Sequence, residues 1–171
     1  MIVLMAGLPG TGKSTLAHEL ARRVSGRVLS KDDIRSAIFQ PAEIEYSSRQ
    51  DDLCLQIMLE IAGHLLSGQP ARSIFLDGRP FSRRYQIENV LTVAQSLHQP
   101  WRILECVCSE ETARRRLQSD AETDAHPARN RDYQLYLEVK SRFESITHSK
   151  TIIDTERPLE TCAQQAMAAL G

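Results

Sequence analysis

The fold is decided by residues 2–14, which read IVLMAGLPGTGKS. The first five residues form an apolar run typical of a buried strand, and the next eight fit the pattern G-x-x-x-x-G-K-[ST]. Glycines at 7, 10 and 12 permit a close approach of the backbone, so that successive N–H groups can turn inward around an anion. A helix that begins near Lys13 adds the positive end of its dipole. The stretch therefore predicts a loop that binds phosphate groups.

Two side chains of this loop suit the outer phosphates of a nucleoside triphosphate. Lys13 supplies a mobile ammonium group, and Ser14 supplies a hydroxyl for Mg²⁺, an ion that takes few protein ligands and keeps phosphate oxygens around it. We therefore expect ATP and Mg²⁺ as cofactors. The residues of this stretch predicted to bind them are Gly7, Leu8, Pro9, Gly10, Thr11, Gly12, Lys13, Ser14 and Thr15.

Composition and charge narrow the range of functions. The chain has 171 residues, of which 42% are hydrophobic and 25% charged, which suits one globular domain over residues 1–171. A net charge of −1 argues against a broad surface for long nucleic acid but leaves room for a local basic patch. No apolar run approaches the ~20 residues of a membrane span, and the N-terminal run is too short for a signal peptide. We expect a cytoplasmic protein with no membrane partner.

The cysteines allow two interpretations. Cys106 and Cys108 are two positions apart in a strand-like run, so their side chains point the same way, as a metal or redox pair would. No second Cys/His pair follows at the spacing of zinc ligands, which favours buried free thiols.

Strand-like and helix-like segments alternate along the chain. Short apolar runs end near residues 30, 76, 107 and 153, and segments with helical spacing of apolar residues separate them. This alternation predicts an α/β fold of the P-loop NTPase type, a three-layer α/β/α sandwich whose sheet has about five parallel strands. Because ligands bind at the carboxyl ends of such strands, polar residues that follow the strands should meet at one rim. These residues are Lys31, Asp77, Ser109 and Asp154.

Two acids and an arginine open the helix after the second strand, in the run KDDIR at 31–35. Adjacent helical positions point in different directions, so at most one of Asp32 and Asp33 faces a substrate. Asp32 is the candidate to accept a proton from an attacking hydroxyl. The alternative is that both acids only cap the helix start and complement its dipole.

The phosphate-binding loop together with the KDDIR run resembles the small P-loop kinases. This group includes the 5′-kinase domain of phage polynucleotide kinase, chloramphenicol phosphotransferase and the zeta toxins, and the chain looks most like its AAA-like ATP-binding kinases. The resemblance rests on residues 7–14, 31–35 and 76–79. It implies that Asp32 is the general base and that Arg35 contacts the acceptor or its phosphate.

The run LDGR at 76–79 is the second motif at the predicted rim. Asp77 ends an apolar strand beside the loop, where a carboxylate can hold Mg²⁺ or its water. Arg79 and Arg83 could bind an anionic acceptor through forked hydrogen bonds, and ordinary solvated arginines are the alternative. The predicted metal ligands are Ser14 and Asp77, and the predicted acceptor residues are Asp32, Arg35, Asp77, Arg79 and Arg83.

A polar stretch, residues 118–131, is predicted to be a loop within a helical lid over about residues 112–135. Small kinases use such a lid to exclude water and to bring arginine onto the transferring phosphoryl group. Where relatives carry a lid arginine, this chain has Asp120. The arginines that could supply the charge instead are Arg116, Arg129 and Arg131. The helix after the loop is expected to carry Tyr136, Val139, Phe143 and Ile146 on one face.

Together these features predict an ATP-dependent kinase that transfers the γ-phosphoryl group to a hydroxyl of a small-molecule or nucleotide-like acceptor. Its catalytic residues would be Lys13, Asp32, Arg35 and Arg116. Two alternatives stay open: a polynucleotide 5′-hydroxyl kinase, whose partner is a nucleic-acid end, and a nucleotide-binding regulator with negligible transfer. A base beside an acceptor pocket argues against the regulator. The choice of acceptor would be set by residues 40–55 and 79–85.

Overall fold

The computed structural model describes residues 1–122 and 132–171, in which strands and helices alternate as the sequence predicts. The strands are β1 (Ile2–Ala6), β2 (Arg27–Ser30), β3 (Ile74–Asp77), β4 (Trp101–Val107) and β5 (Thr151–Asp154). The helices are α1 (Lys13–Arg23), α2 (Lys31–Ile38), α3 (Ser48–Gly68), α4 (Arg84–Ser96), α5 (Glu110–Glu122), α6 (Tyr133–Ser141) and α7 (Leu159–Leu170). Of the described helices, none has the length and apolar character that a membrane crossing needs.

The strands of the described chain form one sheet in the order β2-β3-β1-β4-β5, with all neighbouring strands parallel. β1 lies at the centre, where Ile2 pairs with Ile74 of β3 and with Trp101 of β4. Every residue of β1 is buried, because a strand with parallel neighbours and helices on both faces has no solvent-exposed side. The α/β class and the five-stranded parallel sheet predicted from the sequence are confirmed.

Alternate residues of β1 supply the two layers of the core. Ile2, Leu4 and Ala6 pack on one face of the sheet with the apolar faces of α3 and α4. Val3 and Met5 pack on the other face with α1 and α7. The molecule is therefore the three-layer α/β/α sandwich that the alternation predicts.

The end of α5 differs from the sequence prediction. α5 runs to Glu122, whereas the sequence analysis placed the start of a loop at residue 118. The residues QSDAE at 118–122 have no apolar face, but Gln, Ala and Glu are good helix formers, which favours continuation of the helix.

The end of α6 also differs from the prediction. α6 ends at Ser141, so Phe143 and Ile146, which were expected on this helix, follow it. Ile146 still packs in the core from a non-helical segment, in which Glu144 N donates to Ser82 O at 2.9 Å. A non-helical segment that packs on the core can therefore carry apolar residues at the same spacing as a helix.

The carboxyl ends of the strands meet at one rim of the sheet. Ser30 pairs with Asp77 where β2 and β3 end, and Val107 pairs with Asp154 where β4 and β5 end. β1 ends between these pairs and leads directly into the glycine-rich loop. The sheet therefore gathers at this rim the polar residues that follow each strand.

Candidate active site

The loop between β1 and α1 has the backbone shape that its glycines permit. Gly7, Gly10 and Gly12 have φ angles of 126°, 76° and 77°, in the region that other residues rarely adopt. A Cβ at Gly7 would lie 2.3 Å from the carbonyl oxygen of Cys106 in β4. α1 begins at Lys13 with no side-chain cap and no acidic residue in its first turn. Its first amides are therefore suited to an anion.

The loop rests directly on α5. A Cβ on Gly10 would lie 2.8 Å from Ala113 O and 3.0 Å from Leu117 Cγ. Arg116 of the same helix donates from Nη1 to Thr155 Oγ1 at 3.0 Å and from Nη2 to Thr155 O at 2.7 Å. Its Nη1 also donates to Gly10 O at 3.5 Å. Arg116 thus lies at the edge of the loop, where it joins α5 to the residue after β5.

Lys13 and Ser14 lie where the loop passes into α1. Lys13 is 7% exposed, and its Nζ donates to Leu8 O at 2.7 Å. Thr11 Oγ1 donates to the same carbonyl oxygen at 2.7 Å, so the loop closes on itself through Leu8. The ammonium group therefore lies within the span of the loop.

A cavity of about 310 Å³ extends from the loop across the rim of the sheet. It is enclosed by the loop, the starts of α2 and α3, the segment between β3 and α4, and one side of α6. The predicted residues that line it are Lys13, Ser14, Asp32, Arg35, Asp77, Arg79 and Arg83. All the predicted acceptor residues therefore share one space with Lys13, the lysine predicted to bind phosphate. A volume of this size is near the lower end of the range for small-ligand pockets.

Asp32 lies in a cluster of charged side chains at the start of α2. Its Oδ1 accepts a hydrogen bond from Arg35 Nη1 at 2.9 Å and lies 3.4 Å from Lys31 Nζ. Asp51, in the first turn of α3, pairs with Lys31 at 3.0 Å and with the other terminal nitrogen of Arg35. Asp33 is exposed, and its backbone N–H donates to the side chain that caps α2. Of the two adjacent acids, one faces the cavity and the other faces solvent.

Three buried side chains of the cavity wall carry polar atoms that lack hydrogen-bond partners among the described residues. These atoms are Arg79 Nε and Nη1, Arg35 Nε, and Asp77 Oδ1. Arg79 is 2% exposed, and only its Nη2 is engaged, with Asp52 Oδ1 at 2.6 Å and Tyr85 Oη at 3.4 Å. Buried polar atoms in proteins are nearly always paired, so their concentration in one wall is characteristic of a binding site.

Ser14 and Asp77 are the candidates to hold Mg²⁺. Both line the cavity, and the unpartnered Oδ1 of Asp77 is a buried oxygen of the kind that Mg²⁺ prefers. Among the described residues there is no group of three or more His, Cys, Asp or Glu side chains that could hold a metal ion. Two protein oxygens suit an ion that completes its shell with phosphate oxygens and water.

The remaining predicted residues lie at the margins of the site. Arg83 lines the cavity and also pairs with a glutamate after α6 at 2.9 Å. Thr15 lines a second cavity of about 450 Å³, which adjoins the loop beside the start of α7. Arg129 and Arg131, predicted to act from the lid, lie outside the described residues.

The sequence analysis missed Asp51, Asp52 and Arg142. The two acids carried no signal beyond that of acids near a helix start, which the helix dipole alone explains. Arg142 follows α6 outside any motif, yet it lines the same cavity. The acids do fall within residues 40–55, the stretch expected to set the choice of acceptor.

The cysteines belong to the core. Cys54, Cys106 and Cys162 are buried, Cys108 is partly buried, and none of them forms a disulfide bond. Burial raises the pKa of all four thiols, and it raises the pKa of Cys106 to about 12. They are therefore buried or partly buried free thiols, the interpretation that their spacing favoured.

The parallel sheet, with the glycine-rich G-x-x-x-x-G-K-[ST] loop at its rim, defines a protein with the P-loop fold. A family model described as "AAA domain" matches residues 2–146, and the chain belongs to this family. Comparison with curated proteins finds no significant match.

Several solved structures share this fold over nearly the whole chain. An APS kinase of Mycobacterium tuberculosis in complex with AMPPNP and APS aligns with a TM-score of 0.72 and 17% identity, covering 99% of this chain and 96% of the other. A gluconokinase from Sinorhizobium meliloti aligns with a TM-score of 0.67 and 16% identity, covering 99% and 90%. Kti12 of Chaetomium thermophilum in complex with ADP-AlF3 aligns with a TM-score of 0.75 and 13% identity, covering 99% and 97%. At these identities the likeness establishes the fold.

Proposed function

We propose that the protein is an ATP-dependent kinase that transfers the γ-phosphoryl group of ATP to a hydroxyl of a small acceptor. The observation that carries the proposal is the shared cavity, which Lys13 and Ser14 of the loop line together with Asp32 and Arg35. A donor held at the loop and an acceptor held beside α2 would meet within this one space. The kinase names of two structural neighbours support the same class of reaction.

Asp32 is the proposed general base. Arg35 and Lys31 both engage its Oδ1, which fixes the carboxylate at the cavity wall and leaves Oδ2 outside these pairs. Oδ2 would take the proton of the acceptor hydroxyl while the hydroxyl oxygen bonds to the γ-phosphorus. In the same step, the bond between the γ-phosphorus and the oxygen of ADP breaks.

The phosphates would be held from Gly7 to Thr15. Inward amides and the start of α1 bind the anion, and Lys13 would leave Leu8 O to contact the outer phosphates. Mg²⁺, held by Ser14 and Asp77, would neutralise charge on the transferring group. Arg116 already lies at the edge of the loop, and it would release Thr155 to add its charge to the phosphates.

The acceptor is proposed to be a small molecule rather than a nucleic-acid end. Leu135 and Val139 of α6 form part of the cavity wall, so this helix bounds the space and limits the size of the acceptor. A chain with net charge −1 also lacks the excess of basic residues that would bind along a polynucleotide backbone.

The test is transfer of radiolabelled γ-phosphate to a panel of metabolites and oligonucleotides, with Asp32→Asn compared to Asp33→Asn. Both changes remove one carboxylate from the same turn of α2, but only Asp32 lines the cavity. We expect Asp32→Asn to lower the transfer rate by about 10²–10⁴-fold and Asp33→Asn to leave it unchanged.

Three results would contradict the proposal. Equal transfer rates for the two variants would remove Asp32 as the base. Labelling of oligonucleotide ends alone would favour the polynucleotide kinase. Tight ATP binding with no labelled product from any acceptor would favour the regulator.

A further inference from the structure

We infer that the acceptor carries an oxyanion group, such as phosphate, sulfate or carboxylate, separate from the hydroxyl that is phosphorylated. Arg79 and Arg142 would bind this group. The inference rests on the proposed function, and it goes further by naming the chemical class of the acceptor.

Arg79 has hydrogen-bonding capacity that the described residues leave unused. Its guanidinium is 2% exposed, and only Nη2 contacts an acceptor, Asp52 Oδ1 at 2.6 Å. Nε and Nη1, which together carry three N–H groups, have no partner among the described residues. A buried cation with unused donors is unfavourable unless a ligand supplies oxygen atoms. An oxyanion is the group that matches a guanidinium in both charge and geometry.

The charges of the cavity wall leave one cation without a partner. The described residues that line the cavity include six lysines and arginines but only three aspartates. Two acids outside the lining, Asp52 and Glu144, pair with Arg79 and Arg83, which leaves six cations against five acids. Arg142 forms no ion pair with any described residue, so an anionic acceptor would supply the missing negative charge.

Arg142 provides a second cation that is free to turn toward a ligand. Its side chain is exposed, lines the cavity and forms no ion pair with any described residue. Glu144, two residues later, binds Arg83 at 2.9 Å and accepts from Arg84 N at 2.7 Å. These bonds hold the segment after α6 against the start of α4, which follows Arg79 in the chain. Arg79 and Arg142 therefore belong to adjoining parts of the cavity wall.

Two tyrosines shape the same part of the cavity. Tyr85 Oη lies within 3.3 Å of Asp52, the partner of Arg79. The ring of Tyr46 lies 5.1 Å from the guanidinium carbon of Arg35. These rings leave the cavity wall part apolar, so an acceptor with both an anionic group and a carbon framework fits it better than a bare ion.

The experiment measures binding of inorganic phosphate, sulfate and acetate to protein already saturated with AMPPNP and Mg²⁺, by isothermal titration calorimetry. Filling the loop first removes it as a site for the added anion. The variants are Arg79→Gln and Arg142→Gln, and the control is Arg84→Gln, an exposed neighbour that does not line the cavity. Matched acceptor pairs, a nucleoside with its monophosphate and a sugar with its sugar phosphate, are assayed for transfer in parallel.

We expect at least one of the three anions to bind saturably to the AMPPNP-loaded protein. Arg79→Gln should weaken this binding about tenfold and Arg142→Gln about threefold, while Arg84→Gln leaves it unchanged. The affinity for AMPPNP should stay within about twofold in all three variants, which also reports that each is folded. If Arg79→Gln fails to fold, the exposed Arg142→Gln carries the comparison alone.

The outcomes separate this inference from the proposed function. AMPPNP binding and phosphoryl transfer without any anion site, or with an anion affinity equal in the Arg142→Gln and Arg84→Gln proteins, would overturn the inference and leave the kinase intact. Faster transfer to the uncharged member of each acceptor pair would overturn it as well. Failure of AMPPNP to bind would overturn the proposed function, and this inference with it.

Discussion

The two sides of the cavity are built in different ways. On the proposed phosphate side, the site would be formed by consecutive residues 7–14, of which Pro9, Lys13 and Ser14 line the cavity, and the backbone would supply most of the groups that bind the ligand. On the acceptor side, side chains from α2, α3, the β3–α4 segment and α6 meet as charge pairs such as Arg35 with Asp32. A backbone site needs glycine at fixed positions, whereas paired side chains need only that distant segments fold together. The first side therefore tolerates little change, and the second can change its ligand through single substitutions.

The largest effect should follow from one methyl group on the phosphate side. Gly7→Ala places a Cβ 2.3 Å from Cys106 O at a φ of 126°, so the loop backbone has to shift. We expect AMPPNP affinity, measured by calorimetry, to fall by more than about 100-fold. Gly68→Ala is the control, because a Cβ there meets nothing within 4 Å. Equal affinities would mean that the backbone shape does not create the site.

The second effect concerns the ammonium group of Lys13 on the phosphate side. Lys13→Ala should lower single-turnover phosphoryl transfer by about 10²–10³-fold, because the ammonium stabilises charge that develops on the transferring group. Lys150→Ala, which removes a lysine paired with Glu105, should transfer at the wild-type rate. A Lys13→Ala rate similar to that of Lys150→Ala would show that this ammonium group does not contribute to transfer.

A smaller effect is expected on the acceptor side. Asp51→Asn removes one of the two carboxylates that hold Arg35, so the guanidinium can move away from Asp32. We expect the KM for the acceptor to rise about tenfold and the KM for ATP to stay unchanged. Glu60→Gln, an exposed change later on the same helix, serves as the control. A matching rise in both KM values would show that the two sides are not independent.

The smallest effect concerns Cys106, whose carbonyl packs against Gly7. Burial raises the pKa of its thiol to about 12 from 9.0, so the folded protein keeps this proton at pH values where the unfolded chain releases it. The stabilisation is fully present below pH 9 and is lost as the pH rises toward 12. Between pH 8 and pH 10 the free energy of unfolding should fall by about 1 kcal/mol more in the wild type than in Cys106→Ala, as measured by urea denaturation. Parallel pH profiles for the two proteins would contradict this.

The parts of the molecule that could be predicted are those whose cause is local. The run from Ile2 to Ala6 is apolar at every position, and a strand buried on both faces needs no other information. The glycines at positions 7, 10 and 12 indicate by themselves that the backbone there adopts positive φ angles. Asp32 and Asp33 could be distinguished in principle, because neighbouring positions on a helix diverge, although only the structure shows which of them lines the cavity.

The parts that could not be predicted depend on how elements pack. Asp51 pairs with Arg35, and Asp52 with Arg79, only because the start of α3 lies between α2 and the β3–α4 segment. No sequence pattern near these residues indicates that arrangement of helices. Ile146 has the sequence spacing of a helical position, but it reaches the core from a non-helical segment after α6. α5 continued past Leu117 on propensity, which a search for an apolar face does not detect.

The close contact between Gly10 and α5 couples the glycine-rich loop to this helix. Ala113 O and Leu117 Cγ are near enough to Gly10 that they leave no room for a methyl group. The first two turns of α5 therefore pack directly against the loop, and a displacement of this helix would break the contact. In the proposed kinase, any movement of α5 during turnover would thus also be felt by the loop that is proposed to hold the triphosphate.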